Sequence, residues 1–320
     1  MVVIGLDLGA TKLAGALFGA DGAIQARTGA LLEGRAGDEV GRLILEHLGK
    51  LRAAAQTRGE AVAAVGVSVP GIADPEGGTV WAPNIGGWER YPLRDVLAAE
   101  VGPGCPVVVE SDRACSILGE VARGAAQGCR HAVFLAVGTG IGAGILVDGA
   151  ILRGARGIAG AIGWMGLDRP YRAIYDRCGG FESHASGAGL ARVAREYLAA
   201  EPEYQGPLRA IAPDRITARE VFAAFEAGDA LAERVIANAV ECWGMAVANV
   251  VSLFDPEIVI LGGGLFGPAA GLLDRIVAEA RRWAQPISFA QVAVRTSALG
   301  AEACLYGTGE LAPRGVEASR

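Results

Sequence analysis

Two carboxylates in this chain stand where α/β proteins commonly do chemistry. Asp7 ends the short apolar run Val2-Val3-Ile4-Gly5-Leu6, and Asp112 follows the three valines Val107 to Val109. Ligands of open α/β sheets gather at the carboxyl ends of strands, where backbone groups are free and side chains converge. Three glycine-rich turns also follow apolar strands: Leu8 to Lys12, Gly138 to Gly144 and Gly262 to Gly264. Glycine lets the backbone approach a ligand closely and present N–H groups to phosphate oxygens. One such turn is weak evidence, because hairpins need glycine anyway; three at strand ends are stronger. GxxxxGK[ST] is absent and none of the turns fits GxGxxG before a helix, which excludes a P-loop enzyme and an ordinary Rossmann dehydrogenase. On its own stretch Asp112 also reads as a helix cap, because Ser and Asp both accept hydrogen bonds from free N–H groups. Ala114, Ile117, Leu118 and Val121 follow it at helical spacing.

The elements that must position these residues fall into a repeated pattern. Val2 to Asp7, Leu13 to Phe18 and Ala23 to Gly29 read as meandering strands, the last two joined by the hairpin signal Asp21-Gly22. A helix follows over Asp38 to Thr57, with Val40, Leu43, Ile44, Leu48 and Leu51 on one face. Ala63 to Val69 is a strand halted by Pro70-Gly71, and 72–91 is a long irregular stretch of the kind that forms binding loops. The order then recurs: strands at Ala132 to Val137 and Ile141 to Val147, with Asp148-Gly149-Ala150-Ile151 matching Asp21-Gly22-Ala23-Ile24. Two related lobes are expected, with a ligand cleft between them. Downstream, helices are expected over Gly187 to Ala200, Ala218 to Ala227 behind a Thr217/Glu220 capping box, and from Asp229 to about Phe254. Glu257 to Leu261 is a buried strand, and helices follow at Pro268 to Trp283 and Leu299 to Leu311.

Composition bounds the remaining possibilities. With 320 residues, 52% hydrophobic and 20% charged, the chain has the makings of two well-buried lobes. A formal charge of −6 without any basic run argues against a nucleic-acid partner. The uncharged stretch Ala132 to Val147 is too short and glycine-rich for a membrane span. No signal peptide opens the chain, and six cysteines without a CxxC pair suit a reducing compartment, so a cytoplasmic location is expected.

Asp7-Leu8-Gly9-Ala10-Thr11-Lys12, Pro83-Asn84, Ser111-Asp112, Gly138-Thr139-Gly140-Ile141-Gly142, Gly157-Ile158-Ala159-Gly160 and Leu261-Gly262-Gly263-Gly264-Leu265 occur in that order. Together they resemble the ROK family of sugar kinases and repressors, from Val2 to about Gly307. The resemblance implies an α/β duplicated actin-like ATPase (ribonuclease H-like) fold, with two lobes and a central cleft. The smaller lobe would be 1–113 with 300–312, the larger lobe 114–299, and 313–320 a frayed tail. ROK repressors carry a helix-turn-helix before the first strand; none is seen here, so the chain looks like the kinase branch. The roles implied are those of ATP- and Mg²⁺-dependent phosphoryl transfer. Asp7 would hold Mg²⁺ through water. Gly9, Ala10, Thr11 and Lys12 would face the phosphates, Gly138, Thr139 and Gly140 would grip them, and Gly262, Gly263 and Gly264 would line the nucleoside pocket. Asp112 would be the general base. Lys12 also reads as a surface lysine. The family's kinases are often homodimers or homotetramers.

The acceptor side departs from the family pattern. Sugar-phosphorylating members have Asn-Asp where this chain has Ser111-Asp112, and Glu-Ile-Gly-His where it reads Ala161-Ile162-Gly163-Trp164. The family's CxCGxxGC zinc segment corresponds to Tyr175 to Glu182, which holds only Cys178. A structural zinc needs four N or S ligands, so no zinc is expected. His47 and His131 read as ordinary surface or helix residues. Glu182 and Asn84 match acceptor contacts, although Glu182 also suits a helix N-terminus. Trp164 could stack on a ring face or fill the space left by zinc. The expected substrate is a hexose, amino sugar or cyclitol. The alternatives are a non-catalytic sugar sensor of the same fold and an actin-like ATPase.

Overall fold

The opening apolar run becomes the centre of a five-stranded sheet. β1 (Val2–Leu8) pairs antiparallel with β2 (Lys12–Phe18), which pairs antiparallel with β3 (Ile24–Leu31). On its other edge β1 pairs parallel with β4 (Val62–Val69). After a small hairpin, β5 (Ile72–Ala73) and β6 (Val80–Trp81), β7 (Val107–Ser111) joins β4 in parallel, giving the order β3-β2-β1-β4-β7. The structure, a computed structural model, describes residues 1–74 and 77–318; Pro75 and Glu76 of the expected loop and Ser319 and Arg320 of the expected tail lie outside the described residues.

A second sheet repeats the pattern. β8 (Ala132–Val137) is antiparallel to β9 (Ile141–Val147), β10 (Ala150–Ile151) follows, and β11 (Ile258–Gly262) and β12 (Ala293–Thr296) add in parallel. Its order, β10-β9-β8-β11-β12, matches the first sheet strand for strand. The duplication expected from one short corner motif therefore extends through whole sheets.

The chain forms two compact units, 1–128 with 151–159 and 301–320, and 129–150 with 160–300. In the first, α1 (Asp38–Thr57) lays Val40, Ile44, Leu48 and Leu51 on the sheet, in one cluster with Ile4, Leu6, Leu13 and Leu17. α2 (Leu93–Val101) and α3 (Asp112–Arg123) follow. The second unit holds α4 (Tyr175–Cys178), α5 (Gly180–Ala185), α6 (Gly187–Ala200), α7 (Ala218–Glu226), α8 (Ala230–Phe254), α9 (Leu273–Trp283) and α10 (Pro286–Phe289). By length and composition α8 could cross a membrane, but 67% of its apolar window is buried, so it is a core helix of this unit. α11 (Ala303–Ala318) returns to the first unit and crosses α3 closely. A Cβ on Gly307 would sit 1.7 Å from the Cys115 carbonyl oxygen, so only glycine permits that approach.

Several expectations change. α3 belongs to the first unit because it packs on α11, whereas the expected boundary at 113/114 put it in the second. The closing helix runs on to Ala318 rather than stopping at Leu311. The 72–91 stretch is not a structureless loop. It carries the β5–β6 hairpin and buries Val80, Ala82, Ile85, Trp88 and Tyr91, with the Trp88 and Tyr91 rings stacked at 4.4 Å. α4, α5, α10 and β12 are too short to carry a clear periodicity in the sequence, and α2, though as long as α7, has no side-chain cap to mark its start.

Candidate active site

In the first unit, strand register gathers the carboxylates. Asp7 is the Cα partner of Ser68 across β1–β4, and Ser68 is the partner of Glu110 across β4–β7. Each is the next-to-last residue of its strand, so the row lies at the carboxyl edge of three parallel strands. Ser68 Oγ donates to Asp7 Oδ1 at 2.5 Å, and Cys304 Sγ, from the first turn of α11, lies 3.0 Å from both oxygens. Among the described residues nothing donates to Asp7 Oδ2. Ser68 and Cys304 were missed in the sequence because no local pattern links residues 61 and 297 positions from Asp7.

At the end of β7 the helix cap goes to the serine. Ser111 Oγ accepts from the Ala114 N–H at 3.4 Å, and α3 starts at Asp112. The Asp112 carboxylate is thereby left out of the cap. Its Oδ1 accepts from the Arg113 N–H at 2.8 Å and faces Arg113 Nε at 3.9 Å. The side chain keeps 47% of its surface accessible while protein crowds its other sides. Desolvation pushes the Asp112 carboxyl above the ordinary carboxylate range; Arg113 opposes the rise and the charge of Asp7 adds to it. Glu110 is spent structurally: Oε1 accepts from the Ser111 N–H and Oε2 from Arg153 Nε at 2.6 Å.

The remaining candidates of this unit lie at its surface. Gly9 N–H donates to the Lys12 carbonyl at 2.8 Å, closing the β1–β2 hairpin, and Ala10, Thr11 and Lys12 are exposed. Asn84 is exposed in the turn after Pro83. His47 is a helix residue, buried on α1, with Nδ1 2.5 Å from Thr28 Oγ1.

In the second unit the glycine turns converge. The Gly138 and Thr139 carbonyls accept from the Gly187 and Ala188 N–H groups that open α6, at 2.8 and 3.5 Å. Gly263 takes φ +89°, and a Cβ there would lie 2.5 Å from the Val137 oxygen, so glycine is required for β11 to turn beside β8. Together they edge a cavity of about 570 Å³, whose wall adds Arg195, Thr217 and Arg219 to Gly138, Thr139 and Gly264. These three polar residues were not singled out in the sequence, where Thr217 read only as a cap. Glu182, on α5, accepts the Ile141 N–H on Oε2 at 2.6 Å and so fastens the Gly138–Gly140 turn. Burial raises the Glu182 carboxyl, and that N–H opposes the rise. Trp164 is 58% exposed, so it fills no void.

Where the family places zinc ligands, this chain has a hydrogen-bonded cluster. Tyr175 Oη donates to Asp168 Oδ2 at 2.5 Å and meets His184 Nε2 at 2.8 Å, while Cys178 Sγ lies 3.2 Å from Ser183 Oγ. Burial first, then Arg192, holds the His184 imidazole below its ordinary pKa, favouring the neutral ring. Among the described residues no group of three or more His, Cys, Asp or Glu side chains could hold a metal. Mg²⁺ nonetheless fits Asp7. That cation is usually held by one or two carboxylates plus substrate phosphates, and Asp7 offers one uncommitted oxygen.

The profile of the ROK family matches residues 3–314. Over 251 residues the chain is 34% identical to a glucokinase of Halalkalibacterium halodurans, covering 77% of this chain and 75% of that protein. The ROK hexokinase of Thermus thermophilus superimposes with a TM-score of 0.79 at 31% identity, covering 99% and 100% of the two chains. A ROK glucokinase of Streptomyces griseus, solved with glucose and AMPPNP, gives 0.75 at 30% identity, covering 98% and 100%. The two matching sheets are thus those of the actin-like ATPase fold, and the class is a carbohydrate kinase. The chain belongs to the ROK family.

Proposed function

We propose that the protein transfers the γ-phosphoryl group of ATP, with Mg²⁺, to a hydroxyl of a sugar or sugar-like acceptor, and that Asp112 is the general base. The observation that carries this reading is the division between neighbours: Ser111 takes the helix cap, so the Asp112 carboxylate stays open. The acceptor hydroxyl gives its proton to Asp112 as its oxygen bonds to the γ-phosphorus; the bridging P–O bond breaks and ADP leaves with that electron pair. A carboxyl raised by desolvation is a stronger base than an ordinary one.

Asp7 would hold Mg²⁺, and the ion, when bound, would supply neutralisation of phosphate charge. The Gly9 to Lys12 turn faces the phosphates, and Gly138 to Gly140 grips them. The nucleoside lies in the 570 Å³ cavity beside Gly262 to Gly264, where Arg195 and Arg219 add positive charge. On the acceptor, Asn84 and Glu182 make hydroxyl contacts and exposed Trp164 offers a ring face. The names of the glucokinase and hexokinase relatives support a hexose. Ser111, Ala161 and Trp164 replace hydroxyl-binding residues of the family, and a pocket that loses such partners changes its preference. An amino sugar or cyclitol therefore stands beside the hexose as acceptor.

The test is ADP release over a panel of hexoses, amino sugars and cyclitols. At least one should raise turnover well above background hydrolysis; a panel with no stimulating acceptor would overturn the kinase assignment.

A further inference from the structure

Among the described residues Asp7 is held by one of its two carboxylate oxygens, and neither residue that holds it is part of the phosphate turns. Ser68 reaches Oδ1 because β4 pairs in register with β1, and Cys304 reaches it because α11 crosses back over the sheet. We propose that Ser68 and Cys304 are positioning residues for the metal-binding carboxylate, anchoring Oδ1 so that Oδ2 faces the hydration shell of the cation. The inference rests on the reading of Asp7 as the metal-holding residue.

The chemistry of the pair suits that task. An aspartate at a strand end can rotate about both side-chain bonds; donors fixed on one oxygen remove that freedom, as outer partners of metal ligands generally do. Ser68 is fully buried, and its hydroxyl serves Asp7 directly. A thiol is a weak donor. Cys304 Sγ lies 3.0 Å from Asp7 Oδ1 and 3.0 Å from Ser68 Oγ, so its hydrogen bond braces the carboxylate and the hydroxyl that already holds it. The position of Cys304 is fixed in turn by Gly307, one turn further along α11, which lets that helix lie against the Cys115 backbone. Neither side chain needs to touch substrate; both act through Asp7.

The test is Mn²⁺ binding, read by the electron paramagnetic resonance signal of free Mn²⁺, in the presence of AMPPNP and with no acceptor. Cys304→Ala and Ser68→Ala should each weaken Mn²⁺ by about tenfold, the lower end of what loss of a ligand's outer partner does. Cys304→Ser, which keeps a donor, should bind within about twofold of wild type on the same scale. Should Ser68→Ala fail to fold, the two Cys304 variants decide. Cys304→Ala binding Mn²⁺ as tightly as wild type would overturn the inference. A wild-type protein that takes up no Mn²⁺ with nucleotide would remove the Asp7 reading beneath it. Because no phosphoryl transfer is needed, a failed acceptor screen leaves this measurement intact.

Discussion

Ser111 and Asp112 are neighbours, yet only the serine caps the helix they open. Ser111 Oγ takes the Ala114 N–H, while the Asp112 carboxylate, one residue further on, is crowded by protein and closes no backbone turn beyond Arg113. A group that caps a helix is stabilised by its position; one desolvated without such a partner is destabilised in its charged form.

Asp112→Asn should therefore remove transfer while sparing nucleotide affinity. Loss of a general base costs about 10²- to 10⁴-fold. The check pairs ADP release in the presence of acceptor with AMPPNP titration calorimetry. Near-normal turnover would refute the base assignment.

The same substitution should make the protein more stable at neutral pH. The folded-state pKa of Asp112 lies above its unfolded value, so the acid form favours folding. That contribution is fully present below the unfolded pKa and is lost as pH rises through the folded pKa. Asparagine mimics the uncharged form. Thermal melts should show Asp112→Asn ahead of wild type at pH 7, with the gap closing in acid.

The acid limb of kcat/KM should lie above the pH expected from an ordinary carboxylate, because Asp112 must be ionised to accept a proton. Arg113 lowers that pKa. Arg113→Met should move the limb to higher pH, and an unmoved limb would show that Arg113 does not tune the base.

Glu182 fastens the Ile141 N–H, so Glu182→Ala leaves that N–H without its carboxylate and should cost about 1–3 kcal/mol. Denaturant melts read the loss. Glu182→Gln keeps an acceptor and should recover most of it.

Trp164, being exposed, should be replaceable by alanine within about 0.5 kcal/mol of wild-type stability, the usual range for surface sites. If it stacks on the acceptor, the acceptor KM should rise while the melt stays put. Metal analysis of the purified protein should find no stoichiometric zinc. Cys178 supplies one thiol, and His184 Nε2 is engaged by Tyr175 and Asp168.

Local patterns carried much of the fold. Alternation and apolar runs placed β1, β8 and β9 within a residue of their observed ends, and the Thr217/Glu220 box and Asp229 marked the starts of α7 and α8. Those signals depend on neighbours within a few positions, which is where periodicity and capping act. The 72–91 segment escaped because its burial depends on partners elsewhere: two Gly-Gly pairs and two prolines interrupt any local period, while Val80, Ile85 and Trp88 pack into the first-unit core.

By itself the sequence determined the order of most of the longer strands and helices, the glycine turns after apolar strands and the pair Asp7 and Asp112, together with the departures at Ser111, Trp164 and Cys178. Only the tertiary structure decided how those groups are held. That Ser111 and not Asp112 caps α3 depends on the backbone angle at the strand's end. That Ser68 and Cys304 share one oxygen of Asp7 depends on strand register and on a helix returning from the far end of the chain. Periodicity is a local property of a chain, whereas a contact across 297 residues exists only once the sheet and its covering helix have packed.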